Sequence, residues 1–163
     1  MKFRSEVDGY ITGLRYYKGD QHTGAHVGHL WSSTGTLLAE ATFVNESASG
    51  WQQVILDTPV AVVANTTYVA SHFSPNGYYA GTGGGLLSGV ANPPLRALAS
   101  GEDGGNGLFK YGGSAFPDGS YGGGNYWVDV VFETSIVPDT TPPLVSSVAP
   151  ASNSTGIDLT SQV

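Results

Sequence analysis

The sequence predicts an all-β fold: a two-sheet antiparallel β-sandwich, jelly-roll-like, with long loops rich in glycine and aromatic residues. Three observations predict it. The chain holds 24 glycines in 163 residues, and only 12% of its residues are charged. Its apolar residues fall in short β-branched and aromatic runs, without the spacing of an amphipathic helix. A chain of this length buries one sizeable core and has little left for a second.

The elements follow in order. "GYITGLRYYKG" (9–19) is β-branched and aromatic, ends in Lys-Gly and reads as a strand. "HVGHLWSSTGTLLAEATFVN" is a hairpin, with "SSTG" at 32–35 as its tight turn. A strand at Trp51–Leu56 precedes a break at Asp57–Pro59 and a further apolar run. "TTYVASHF" (66–73) alternates, with Tyr68, Ala70 and His72 on one side and Val69, Ser71 and Phe73 on the other. From Ser74 to Asn125 glycines and aromatics interleave; only "PLRALAS" offers a helical turn, and the region reads as functional loops holding a few short strands. "NYWVDVVFETS" (125–135) closes the domain, with Val128, Val130 and Phe132 toward the core and Trp127, Asp129 and Val131 on the opposite side.

These elements make residues 1–136 one β-sandwich domain. Residues 137–143, with the proline-stiffened "PDTTPP", form an extended linker. Residues 144–163 are too few to bury a core, and the expectation is that they are the truncated start of a second domain.

Composition excludes several functions. A net charge of -7 with six unclustered Lys and Arg leaves no basic patch for nucleic acid or an anionic membrane. The absence of cysteine rules out a disulfide scaffold, a zinc ribbon and thiol chemistry. No apolar run reaches the roughly 18 residues of a membrane-spanning helix. "MKFRSEVDGYITG" lacks an apolar signal core, so an export signal is expected outside this chain.

Three of the four histidines lie in "HTGAHVGHLW" (22–31). Ligation at that spacing needs a helix, which Thr23, Gly24, Val27 and Gly28 disfavour. On a strand His26 and His29 point to opposite faces, and no carboxylate in the segment orients an imidazole. The expectation is a turn and a strand, with the histidines on a polar face. No G-x-S-x-G elbow is present, and the acids are too dispersed for a glycosidase pair. "GTGGG" (81–85) lacks the Lys and helix of a phosphate loop. "GEDGGNG" (101–107) offers Glu102, Asp103 and Asn106 as hard oxygen donors, a calcium candidate set against a solvated turn. Asp129, inside the last strand, reads as a ligand contact or as an Asp capped by a hydroxyl or an arginine.

The aromatics of the glycine-rich half point to binding. Rings on loops either cover a small core or meet a ligand, and sugar rings present C–H faces that stack on Tyr and Trp. The candidate ligand-binding residues are Tyr78, Tyr79, Tyr111, Tyr121, Trp127, Asp129 and Asn106, and no catalytic residue is expected.

The blocks "GYITGLRYYKG", "TGAHVGHLWSSTGTLLAEATFVNESASGWQQV", "PVAVVANTTYVASHFSPNGYYA", "GGNGLFKYG" and "FPDGSYGGGNYWVDVVF" together resemble the bacterial domain of unknown function 4082 family, over roughly residues 3–134. "PDTTPPLVSSVAPASNSTGIDLT" resembles the opening of a bacterial Ig-like repeat. The resemblance implies a module of a larger secreted or surface bacterial protein, beside Ig-like, fibronectin-like and polysaccharide-active domains. Trp31, Trp51 and Trp127 match its motif positions, and the first two are expected to serve the fold. The expected function is non-catalytic polysaccharide binding; the alternatives are a structural spacer in an adhesin stalk and an enzyme.

Overall fold

The computed structural model describes residues 1–136 together with Ser147 and Thr155. The expected linker and, those two residues aside, the expected Ig-like start lie outside the described residues. Eleven strands follow in order: β1 (Lys2–Ser5), β2 (Gly9–Lys18), β3 (Val27–Ser32), β4 (Leu37–Thr42), β5 (Gly50–Val62), β6 (Tyr68–Phe73), β7 (Val90–Asn92), β8 (Leu95–Ala97), β9 (Leu108–Phe109), β10 (Gly119–Ser120) and β11 (Val128–Glu133). No helix occurs among the described residues. The fold is all-β.

A six-stranded sheet in the order β4-β3-β6-β1-β8-β7 packs on a three-stranded sheet in the order β11-β2-β5, and β9 and β10 form a small ribbon. Every strand pair is antiparallel. The core lies between the sheets, built from Phe3, Ile11, Leu14, Tyr16, Leu30, Phe43, Leu56, Val62, Tyr68, Ala70, Val128 and Val130. Phe132 packs against it, so the inward set expected for the last strand holds.

In a strand, side chains alternate between faces, so one irregularity resets which positions point inward. Ile11 pairs with Val60 and Gly13 with Ile55, leaving Thr12 alone opposite Leu56–Pro59. That irregularity lets odd-numbered Ile11 and even-numbered Leu14 and Tyr16 share the core face. It also corrects the expected break at Asp57–Pro59. β5 runs through it, and Pro59, which has no N–H to donate, occupies the place where the ladder is interrupted. The helical turn expected in "PLRALAS" is likewise a strand: Leu95–Ala97 pairs with Ser5–Phe3 along the edge of β1.

Gly28 sits where β3 crosses the core. A Cβ there would lie 3.0 Å from Leu14 Cδ1 and 3.1 Å from Phe43 Cε2. Gly28→Ala is therefore expected to cost about 1–3 kcal/mol by overpacking. Urea unfolding measures it, and an unchanged midpoint would show that the two neighbours yield freely.

The histidines are not on a polar face. His22, His26 and His29 are all buried. His26 donates from Nδ1 to Glu46 at 2.9 Å and tilts against Tyr16 at 5.1 Å. His29 lies on the outer side of the large sheet, stacked on Trp31 at 5.3 Å, with Nε2 2.9 Å from Ser114 Oγ. Phe116 closes over Trp31 edge-on. The loop around 110–117 thus covers a sheet face that sequence alone left open.

Candidate functional site

The outer face of the three-stranded sheet carries side chains from all three of its strands. Register sets Tyr17 opposite Trp51 and Arg15 opposite Gln53 on one side, and Arg15 opposite Asp129 on the other. Arg15 lies over the Trp51 ring, 4.8 Å from its centroid, and reaches Asp129 at 3.7 Å. Asp129 also accepts from the Val130 N–H. It is the arginine-capped Asp foreseen above, placed at the solvent edge of a ligand-sized cleft.

Trp127 meets Trp51 at 6.3 Å with the ring planes at 82°. Its backbone has φ 48°, a region bulky L-residues rarely enter and one that costs about 1–3 kcal/mol. Three hydrogen bonds hold it there. Its N–H donates to Asn125 Oδ1 at 2.9 Å, its carbonyl accepts from Tyr17 N at 2.9 Å, and its indole Nε1 donates to Thr82 Oγ1 at 3.1 Å. Asn125 and Thr82 are joined by a reciprocal backbone pair. Despite this anchoring the ring is 39% exposed, and Trp51 is 42% exposed. The corner borders a cleft of about 500 Å³ that runs around the edge of β11 to Asn92 and Arg96 of the β7–β8 hairpin.

A second cleft, of about 440 Å³, lies under the loops. Tyr78, Tyr79 and Tyr111 rim it, with Phe109, Tyr126 and His72 deeper. Tyr79 meets Tyr126 edge-on at 5.2 Å, and Phe109 meets Tyr111 in the same manner at 5.5 Å. Tyr111 is 86% exposed. Lys110, on the rim, is paired with Asp118 at 2.6 Å. The two clefts share walls at Met1 and Val128.

The expected site residues therefore divide. Tyr78, Tyr79 and Tyr111 come together in one cleft, and Trp127 and Asp129 in the other. Tyr121 is fully displayed but lines neither.

Asn106 requires correction. It is 0% exposed, its Oδ1 accepts from the Lys2 and Gly107 N–H groups, and its amide donates to the carbonyls of Lys2 and Leu98. It staples the glycine loop to β1 and offers a ligand nothing.

The calcium set loses its donors in the same way. Glu102 is held below the ordinary carboxylate range by a bidentate Arg96, with Arg4 adding to the effect. Asp103 is held low by the Thr67 hydroxyl, and then by Arg4 and Lys2 against a small burial penalty. Guanidinium groups already occupy the charge that calcium would need. Among the described residues no three His, Asp or Glu side chains converge as a metal-ligand set.

Trp51 and Arg15 were missed by sequence reasoning as site residues: Trp51, expected to serve the fold, packs on Tyr17 and Trp127 yet is half-exposed on the outer face of the small sheet. No signal in "WQQV" could have found it: only the structure shows that Gln52 is buried, which turns Trp51 and Gln53 outward. Trp31 does serve the fold, buried with its Nε1 donating to Ser71.

Two packed antiparallel sheets with connecting loops gathered over one flank define an all-β sandwich domain. The family described as domain of unknown function (DUF4082) matches residues 1–128, and the chain belongs to that family. No curated protein and no solved structure matches the chain.

Proposed function

We propose that this domain is a non-catalytic carbohydrate-binding module, an accessory part of a larger secreted bacterial protein. The Trp51–Trp127 corner carries the reading. A strained, triply hydrogen-bonded tryptophan left open to solvent is a rigid surface prepared for a partner, because ring ordering then costs nothing at the moment of binding. Arg15, Gln53 and Asp129 stand beside the rings, as a pyranose needs: apolar C–H faces against indole, hydroxyls toward charged and amide groups. The net charge of -7 disfavours polymers rich in uronic acids or sulfate, so the ligand class is a neutral polysaccharide. A spacer would expect a flat face without displayed rings, and both tryptophans count against it.

Native affinity gels containing soluble β-glucan, xylan or galactomannan test the proposal. The wild-type chain is expected to be retarded by at least one of them. Trp127→Ala and Trp51→Ala are expected to weaken that binding by about 2 kcal/mol or more, roughly thirtyfold. A chain with native circular dichroism that runs unretarded in all three gels would sink the carbohydrate reading.

A further inference from the structure

We infer that the Arg15–Asp129 pair reads two neighbouring hydroxyls of one sugar, so that the domain selects glycans whose units carry a free vicinal diol. The inference rests on the carbohydrate reading and adds the linkage of the ligand. It starts from a difference between this ion pair and the others. Arg96 reaches Glu102 at 2.6 Å, Lys110 reaches Asp118 at 2.6 Å and Lys18 reaches Glu46 at 2.5 Å, and each contact is a hydrogen bond. Arg15 Nη1 stands 3.7 Å from Asp129 Oδ2, beyond hydrogen-bond reach, and both side chains are partly open to solvent. The two groups are fixed without being used up. The Trp51 ring holds the guanidinium at 4.8 Å through the face of the ring, which consumes none of its N–H donors. Asp129 is oriented through Oδ1, which accepts from the Val130 N–H at 2.8 Å, and Oδ2 is left for a ligand. A donor and an acceptor thus stand in register on the neighbouring strands β2 and β11. Both line the cleft that Gln53 and Trp127 also line.

A vicinal diol fits that gap. One hydroxyl donates to Asp129 Oδ2 while its neighbour accepts from Arg15, and both bonds are charge-assisted. Hydroxyls on adjacent ring carbons are close enough together to bridge the two groups; hydroxyls separated by a substituted carbon stand farther apart. Arg15 already takes one face of Trp51, so the C–H face of the sugar falls to the half-exposed ring of Trp127. The linkage of the polymer then decides what is offered. Pyranose units joined through positions 1 and 4 keep hydroxyls 2 and 3 side by side. Units joined through positions 1 and 3 keep no adjacent pair along the chain.

Native affinity gels holding a 1,4-linked xylan, a galactomannan or a linear soluble 1,3-linked glucan test the inference on the wild-type chain. Retardation is expected in at least one of the first two and not in the third. Asp129→Asn keeps an oxygen for the Val130 N–H but turns a donor toward the sugar. Arg15→Lys keeps the charge and loses the planar fork. Each is expected to weaken binding of the retarding polymer by about tenfold or more, the size of one lost hydrogen bond to a charged group. Circular dichroism checks that both variants keep the fold, and the linkage comparison on the wild-type chain stands without them. Retardation by the 1,3-linked glucan as strong as by the other polymers, or binding unchanged in both folded variants, would overturn the diol reading while leaving carbohydrate binding standing. Failure of all three gels to retard the wild-type chain brings down both.

Discussion

Glu46→Ala is expected to lower the unfolding free energy by about 3–5 kcal/mol, among the largest effects of any single change outside the hydrophobic core. Glu46 lies between β4 and β5 with its carboxylate almost wholly covered. Lys18 Nζ donates to it at 2.5 Å, the Tyr16 hydroxyl at 3.1 Å and His26 Nδ1 at 2.9 Å. Burial by itself pushes the Glu46 carboxyl up, but Lys18, His26 and Tyr16 together outweigh it and hold the group below its ordinary value. Burial and the facing Glu46 charge also push the Tyr16 phenol well above its usual range, so it stays a neutral donor.

Removing the carboxylate strands a nearly buried ammonium and two buried donors at once, and each stranded group carries a desolvation cost. Removing the Lys18 charge in the same chain should recover part of the loss, because no ammonium is then left covered without its partner. The double variant Lys18→Met with Glu46→Gln is therefore expected to be more stable than Glu46→Ala alone. Urea midpoints at constant m measure both. A loss below about 1 kcal/mol for Glu46→Ala would mean that the network is hydrated in solution and contributes little.

The strands with a clear residue pattern and turn residues at their ends were readable from the residues alone. β6 and β11 carry a two-residue period, while β2 and the β3–β4 hairpin were marked by β-branched and aromatic runs ending in turn residues. β8 was not readable. "PLRALAS" has no alternation, and its extended form is imposed by the free edge of β1, which needs a partner. The continuity of β5 was hidden for a related reason: a proline that ends most strands is harmless at an irregular place in the ladder.

The site divides along the same line. Tyr78, Tyr79 and Tyr111 were legible because rings set among glycines on a loop have few ways to be buried. Trp51 was not, because its exposure depends on which strand β5 pairs with and on the inward phase of Gln52. Asn106 misled in the opposite direction. A short polar side chain among glycines reads as exposed, yet this tight loop has backbone donors and acceptors that only a buried amide satisfies. The histidines were judged from their own segment, whereas Glu46, twenty residues away from His26 in sequence, determines what that imidazole does.

Acidification is expected to unfold the domain well before its surface carboxylates account for it. His72 lies against Tyr16, with ring centroids 4.7 Å apart, and its pKa is pushed down to about 3, first by burial and then by the nearby His22 and His26. Burial also lowers His22, against a stabilising bond to the Tyr79 backbone, and lowers His29, against the pull of Glu40. In the unfolded chain these imidazoles take up protons near the ordinary value of 6.5. The folded chain resists, so the unfolded state binds more protons as pH falls below the ordinary value, and stability falls with it. Their contribution is complete above about 6.5 and declines below it, toward about 3 for His72, with a slope of up to about 1.4 kcal/mol per pH unit for each histidine that must stay neutral. Glu46 acts in the same direction at lower pH, since its depressed pKa means that its contribution is lost only as the carboxylate itself takes a proton. Urea midpoints between about pH 7.5 and about pH 4.5 follow the decline. His72→Phe keeps a ring against Tyr16 and removes the proton acceptor, so it should flatten the curve while leaving the midpoint at neutral pH nearly unchanged. A wild-type midpoint constant across that range would show that these imidazoles meet water in the folded state and are no obstacle to protonation.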